Sequence, residues 1–201
     1  MIEDILQQTN NQIYKKWNIC GLTSPKSQHF LSLICKNKNV LEVGYYKGAS
    51  TIPIASTAKY VLTVDDLSFI ESVPVKNINI GNTNQTLEYN LLTRNITNVD
   101  IINDNIFSEN TFNKINKMNF DIIFYDASHK IEDVFKFLML YEKTLNNKIL
   151  ILDDYNFESV REAVNFFINT KSKVIKYKKE IITNSESLND FWNGIGIFVF
   201  V

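Results

Sequence analysis

Short apolar runs alternate with stretches of helical period along most of the chain. Val40–Val43, Tyr60–Val64, Asp100–Ile102, Phe120–Tyr125 and Lys148–Leu152 are short, rich in β-branched or aromatic residues, and followed by polar ones, which predicts buried strands. Between them Ser50–Ala58, Gln85–Arg94, Asn110–Met118 and Ile131–Leu145 read as helices, and a further helix is predicted over Phe157–Asn169. Alternation of this kind implies parallel strands joined by right-handed crossovers.

The two ends depart from that rhythm. Ile2–Trp17 and Lys26–Cys35 read as helices ahead of the first strand, the second with a Ser24 cap and Pro25 in its first turn. Lys173–Thr183 and Phe191–Val201 read as two longer strands joined by a polar loop, a hairpin added to the parallel sheet. Leu67–Asn84, with Pro74 and Gly81, has no clear period.

Composition narrows the class. A length of 201 residues without repeat or linker favours one domain, divided here into N-terminal helices (1–36), a core (37–155) and a C-terminal helix with a hairpin (156–201). A net charge of −1 supplies no general pull toward nucleic acid or anionic membrane. Cys20 and Cys35 do not suggest a disulfide scaffold, the polar start is no signal peptide, and no apolar run reaches the roughly 18 residues of a membrane span. The expectation is a soluble, cytoplasmic protein. Asn, Ile and Lys abound while Arg94 and Arg161 are the only arginines, a codon bias rather than chemistry. Six glycines is few, so their positions carry information.

Two of them fall in Leu41-Glu42-Val43-Gly44-Tyr45-Tyr46-Lys47-Gly48-Ala49-Ser50, between the first strand and a helix. A sharp strand-to-helix turn with a close ligand needs such residues, although a plain turn needs them too. The spacing is neither a Walker loop nor the dinucleotide fingerprint. Asp65 ends the second strand about 20 residues later, where nucleotide-binding α/β folds place a ribose-binding acid.

A second constellation is acidic. Phe120–Tyr125 runs into Asp126, with His129 three residues on, and Lys148–Leu152 runs into Asp153 and Asp154. If those strands are neighbours, three carboxylates meet at the carboxyl edge of the sheet, where they repel unless a cation neutralises them. Hard divalent cations such as Mg²⁺ choose oxygen ligands. The same acids also suit helix capping, and His129 suits an exposed helix start. As a chemical group, His129 is able to take a proton near neutral pH.

Glu42-x-Gly44-x-x-x-Gly48 followed by Asp65 resembles the cofactor half of class I S-adenosylmethionine-dependent methyltransferases. With Asp126, His129, Asp153 and Asp154, the chain from Leu22 to Tyr155 is similar to the divalent-metal-dependent O-methyltransferases, catechol and caffeoyl-CoA types and macrolide-sugar relatives. The resemblance implies a Rossmann-like three-layer α/β sandwich, its seven-stranded sheet mostly parallel with a C-terminal antiparallel hairpin. It implies a cofactor site with Thr23 at its border, Glu42, Gly44, Tyr46, Gly48 and Ser50 along the methionine part, Asp65 on the ribose, Asp104 near the adenine, and Asp126. It implies metal ligands Asp126, Asp153 and Asp154, with Asp126 and His129 catalytic. The turn Leu145-Asn146-Asn147-Lys148 lacks the Pro-Gly-Gly common in relatives, and Asn189–Gly194 has no general match.

The expected activity is Mg²⁺-assisted methyl transfer to a hydroxyl of a small acceptor, a sugar diol or a catechol-like ring. A metal-independent class I methyltransferase and a non-catalytic cofactor-binding partner are the alternatives. Nucleic acid and membrane are not expected partners, and a homodimer is compatible with the class.

Overall fold

The computed structural model describes residues 1–11, 14, 17–19, 21–68, 86–184 and 189–201. Its elements are α1 (Ile2–Asn10), α2 (Pro25–Ile34), β1 (Asn39–Val43), α3 (Thr51–Ala55) and β2 (Tyr60–Asp65). After these come α4 (Leu87–Leu92), β3 (Val99–Asn103), α5 (Glu109–Ile115), β4 (Ile122–Tyr125), α6 (Ile131–Leu140) and α7 (Glu142–Leu145). The chain ends with β5 (Ile149–Asp153), α8 (Glu158–Lys171), β6 (Ile175–Ile181) and β7 (Ile195–Phe200).

The strands form one seven-stranded sheet in the order β3-β2-β1-β4-β5-β7-β6. The first five are parallel, and β7 enters antiparallel between β5 and β6. The order reverses between β1 and β4, so the carboxyl ends of those strands open a crevice of the kind that holds ligands in α/β sheets.

Side chains alternate across each strand and build two cores. Leu41, Leu62, Ile123 and Leu150 face α5–α8, while Val40, Val61, Ile122 and Ile151 face α1–α3. This is the three-layer sandwich that the resemblance implies.

Two helices differ from expectation. α1 ends at Asn10 rather than reaching Trp17. Thr9, Asn10 and Asn11 are poor helix formers, and the amide of Asn11 already turns back to the Gln8 carbonyl. The stretch Ile131–Leu145 divides at Tyr141, where backbone leaves the helical region and the buried hydroxyl donates to the Ile106 carbonyl (2.7 Å). Elsewhere the boundaries move by a few residues: β6 and β7 are shorter than the apolar pattern, and α3 has five residues. The Ser24 cap is present, accepting from the Ser27 amide at 3.1 Å. Cys20, Pro74, Gly81 and most of the Leu67–Asn84 segment lie outside the described residues.

Candidate active site

The turn after β1 is shaped by close backbone approach. Gly44 has φ +89°, and its amide donates to the Val64 carbonyl at 2.8 Å. A Cβ there would lie 1.9 Å from the carbonyl oxygen of Asp126, so only glycine fits between β1 and the end of β4. Tyr46 (φ +45°) and Gly48 (φ +86°) complete the reversal, and the Gly48 amide donates to the Tyr45 carbonyl at 2.7 Å.

Asp65 pins this turn. Its Oδ2 accepts from the Tyr45 and Tyr46 amides, both at 2.9 Å, and its Oδ1 accepts from the Leu67 amide at 2.9 Å. A carboxylate offers about four acceptor positions, so one on Oδ1 is left unfilled among the described residues. Glu42 lies fully buried under the loop, accepting from Ser50 Oγ (2.7 Å) and Thr63 Oγ1 (2.8 Å). Burial pushes its carboxyl up to about 7 against the opposing pull of those hydroxyls. Glu42 and Ser50 are therefore committed to each other and brace the loop from beneath.

Asp104 is engaged locally after β3. It accepts from the hydroxyls of Ser108 and Thr111 (2.8 Å to the latter) and from the Asn105 amide (2.8 Å), so it holds the start of α5. Sequence reasoning missed two loop contacts. Tyr45 Oη donates to Asn103 Oδ1 at 2.6 Å, and the buried Asn90 Nδ2 donates to the Lys47 carbonyl at 2.9 Å. Neither has a local sequence signal, because each joins residues more than 40 positions apart.

The acids at the other half of the crevice do come together. β4 and β5 are paired with Tyr125 opposite Leu152, so Asp126 and Asp153 leave neighbouring strands one residue later. By the alternation of their strands, Glu42, Asp65, Asp126 and Asp153 all belong to the sheet face covered by α1–α3. Burial, then the charges of Asp153, Asp154, Glu42 and Asp65, holds the Asp126 carboxyl well above its usual range. Burial and the Asp154 charge do the same to Asp153. Asp153 Oδ1 is buried without a hydrogen-bond partner.

Asp154 turns elsewhere. Its backbone is left-handed (φ +53°), Asn193 Nδ2 donates to its Oδ1 at 2.7 Å, and His129 Nε2 lies 2.5 Å from its Oδ2. The His129 ring stacks on Phe157 with centroids 4.7 Å apart and planes 15° from parallel. Neither Asp153 nor Asp154 caps α8, whose N-cap residue is Phe157 without a side-chain bond. Among the described residues no group of three or more His, Cys, Asp or Glu side chains converges as a metal cage.

A cavity of about 510 Å³ borders the same sheet edge, lined by Leu6, Lys26, Lys179, Thr183, Asp190 and Phe191 among others. Ile195 stands opposite both Asp153 and Ile181, which sets the end of β6 two strands from Asp153, roughly 10 Å at the usual strand spacing. Ser24 Oγ donates to the Asp190 carbonyl (2.6 Å) and Lys26 pairs with its carboxylate (2.6 Å). Thr23, half-buried, directly precedes this clasp.

A family model described as a methyltransferase domain matches residues 41–155, more than half of the chain. The chain belongs to this methyltransferase family. No curated protein matches it in sequence. Solved structures share the methyltransferase's fold at low identity. Cofactor-bound Rv0187 from MTB is 15% identical over 98% of this chain and 88% of that one, with a TM-score of 0.63. A protein of Staphylococcus aureus provisionally assigned as a caffeoyl-CoA O-methyltransferase is 17% identical over 100% and 92%, at 0.62. The O-methyltransferase TomG from Streptomyces achromogenes, in complex with SAM, is 13% identical over 100% and 87%, at 0.60.

The matched span contains both the Gly44–Gly48 loop and the acids at the ends of β4 and β5. By family and fold the chain is a methyltransferase. No helix among its described residues is long and apolar enough to cross a membrane.

Proposed function

We propose that this methyltransferase moves a methyl group from S-adenosylmethionine to a hydroxyl oxygen of a small acceptor, with a divalent cation such as Mg²⁺ held by Asp126 and Asp153. The observation that carries the cation is the buried, unpartnered Asp153 Oδ1 beside the desolvated Asp126 carboxyl. Such a pair is repulsive alone and suits a hard cation. The O-methyltransferase names of the structural neighbours support oxygen as the nucleophile.

The sulfonium methyl of the cofactor is already activated, so the protein's task is to bring an oxygen into line with it. A cation held by Asp126 and Asp153 would lower the pKa of the acceptor hydroxyl and orient it. With Nε2 turned to Asp154, His129 keeps Nδ1 as the site that takes the hydroxyl proton. The methyl–sulfur bond breaks as the methyl–oxygen bond forms, and S-adenosylhomocysteine leaves. The cavity beside Phe191 and Lys26 suits the body of the acceptor.

The test is calorimetric titration with S-adenosylmethionine, then release of S-adenosylhomocysteine with 3,4-dihydroxybenzoate and methyl α-glucoside as probe acceptors, with Mg²⁺ or EDTA. Binding and EDTA-sensitive turnover are expected. Absence of binding at millimolar cofactor overturns the cofactor assignment, and turnover indifferent to EDTA overturns the cation.

One observation favours a metal-independent variant. Asp154 is committed to His129 and Asn193, an arrangement that orients a histidine base without a cation. That variant predicts the EDTA-indifferent result.

A further inference from the structure

We infer that Asn193 is a positioning residue for methyl transfer: its side-chain amide fixes the Asp154 carboxylate, and through it the ring of His129. This rests on the reading of His129 as the proton acceptor. The His129 side chain is 41% exposed, so burial alone does not hold its ring. What holds it is the stack on Phe157 and the contact of Nε2 with Asp154 Oδ2. Asp154 in turn directly follows the last residue of β5. Its carboxylate keeps one orientation only where a donor holds it. Asn193 Nδ2, at 2.7 Å from Oδ1, is that donor, and it leaves Oδ2 to the imidazole.

The backbone around this contact is built to maintain it. Asp154 and Asn193 are both left-handed, at φ +53° and +58°, a conformation that Asp and Asn tolerate better than most residues. The Asn156 amide donates to the Asn193 carbonyl at 2.6 Å, and the Asn156 side chain bonds both the amide and the carbonyl of Thr183. The segment after β5 and the segment before β7 are thus clasped side by side. Asn193 stands three residues from Asp190, whose carboxylate pairs with Lys26 at the cavity wall. One loop therefore both walls the proposed acceptor cavity and holds the group that orients the base.

Asn193→Gly keeps the left-handed backbone and removes the amide; Asn193→Asp keeps the shape and replaces the donor by an acceptor. Both are expected to retain the wild-type affinity for S-adenosylmethionine, while turnover of 3,4-dihydroxybenzoate falls about 10- to 100-fold, the scale of a misplaced reacting group. In the His129→Ala background, Asn193→Gly is expected to change nothing further. A readout free of any acceptor is the His129 Nε2–H proton by NMR, slow to exchange in the wild type and lost in Asn193→Gly. A protected proton in Asn193→Gly overturns the inference, as does an equal loss of turnover with and without His129. Wild-type turnover in Asn193→Gly, with His129→Ala severely impaired, overturns it while sparing the base. Full turnover in His129→Ala removes the base reading and this inference together.

Discussion

The α-carbon of Gly44 faces the carbonyl oxygen of Asp126 so closely that a methyl group on it would sit 1.9 Å away. The contact joins the Gly44–Gly48 loop to the strand end that carries the first acid. Gly44→Ala must both open this contact and hold φ at +89°, which together cost at least about 2 kcal/mol. The expected outcome is a lowered Tm together with weakened S-adenosylmethionine binding, read by thermal melts and calorimetry. A Tm and Kd equal to wild type would show that the loop has room that the structure denies it.

Asp126 and Asp153 make a second prediction, testable without any acceptor. In EDTA at pH 8, Asp153→Asn is expected to melt higher than wild type, because it removes a charge held beside like charges with one oxygen unpaired. Mg²⁺ is expected to reverse the order. A cation that binds only the folded protein at 100 times its Kd adds about 2.7 kcal/mol. Wild type should therefore gain several degrees and Asp153→Asn almost none. Equal Mg²⁺ responses in the two proteins would remove Asp153 from any cation site.

The strand ends were legible because each apolar run stops at an acid, and period two then assigns the face. Asp126 shares parity with Ile122 and Phe124, Asp153 with Ile149 and Ile151, and Glu42 with Val40, so their common face follows from spacing once the strands are adjacent. What each carboxylate binds was not legible, since partners are chosen in three dimensions. Asp65 took loop amides, Glu42 took two hydroxyls beneath the loop, and Asp154 took an amide 39 residues away. The end of α1 could have been read from Thr9-Asn10-Asn11, where apolar spacing was allowed to outweigh poor helix propensity.

Asp104 supplies a third prediction, on the contrast between capping and cofactor binding. Its oxygens accept from Ser108, Thr111 and Asn105, and hydrogen bonds from those hydroxyls and that amide hold its carboxyl below the usual range. Asp104→Ala is expected to lower Tm by loosening the start of α5, while Kd for S-adenosylmethionine changes less than about 2-fold, short of the 1.4 kcal/mol that marks a tenfold change. A large loss of affinity at unchanged Tm would favour the adenine role that the resemblance implies over a purely capping one.

Glu42 makes the last prediction, on pH. Its carboxyl rises from the ordinary 4.5 to about 7 in the fold, chiefly through burial. Below the unfolded value both states carry the proton and Glu42 has no effect on stability. Between 4.5 and 7 the folded state keeps a proton that the unfolded state has released, so the unfolded state binds fewer protons and stability falls as pH rises. Above about 7 the loss is complete, on the order of 3 kcal/mol at 1.36 kcal/mol per unit. Glu42→Gln mimics the protonated form and keeps an acceptor for Ser50 or Thr63. The difference in unfolding free energy, variant minus wild type, is therefore expected to climb between pH 5 and 7 and then level off. Denaturant melts across that range measure it. A flat difference would mean that Glu42 ionises at its ordinary pH inside the fold, and that the two hydroxyls outweigh its burial.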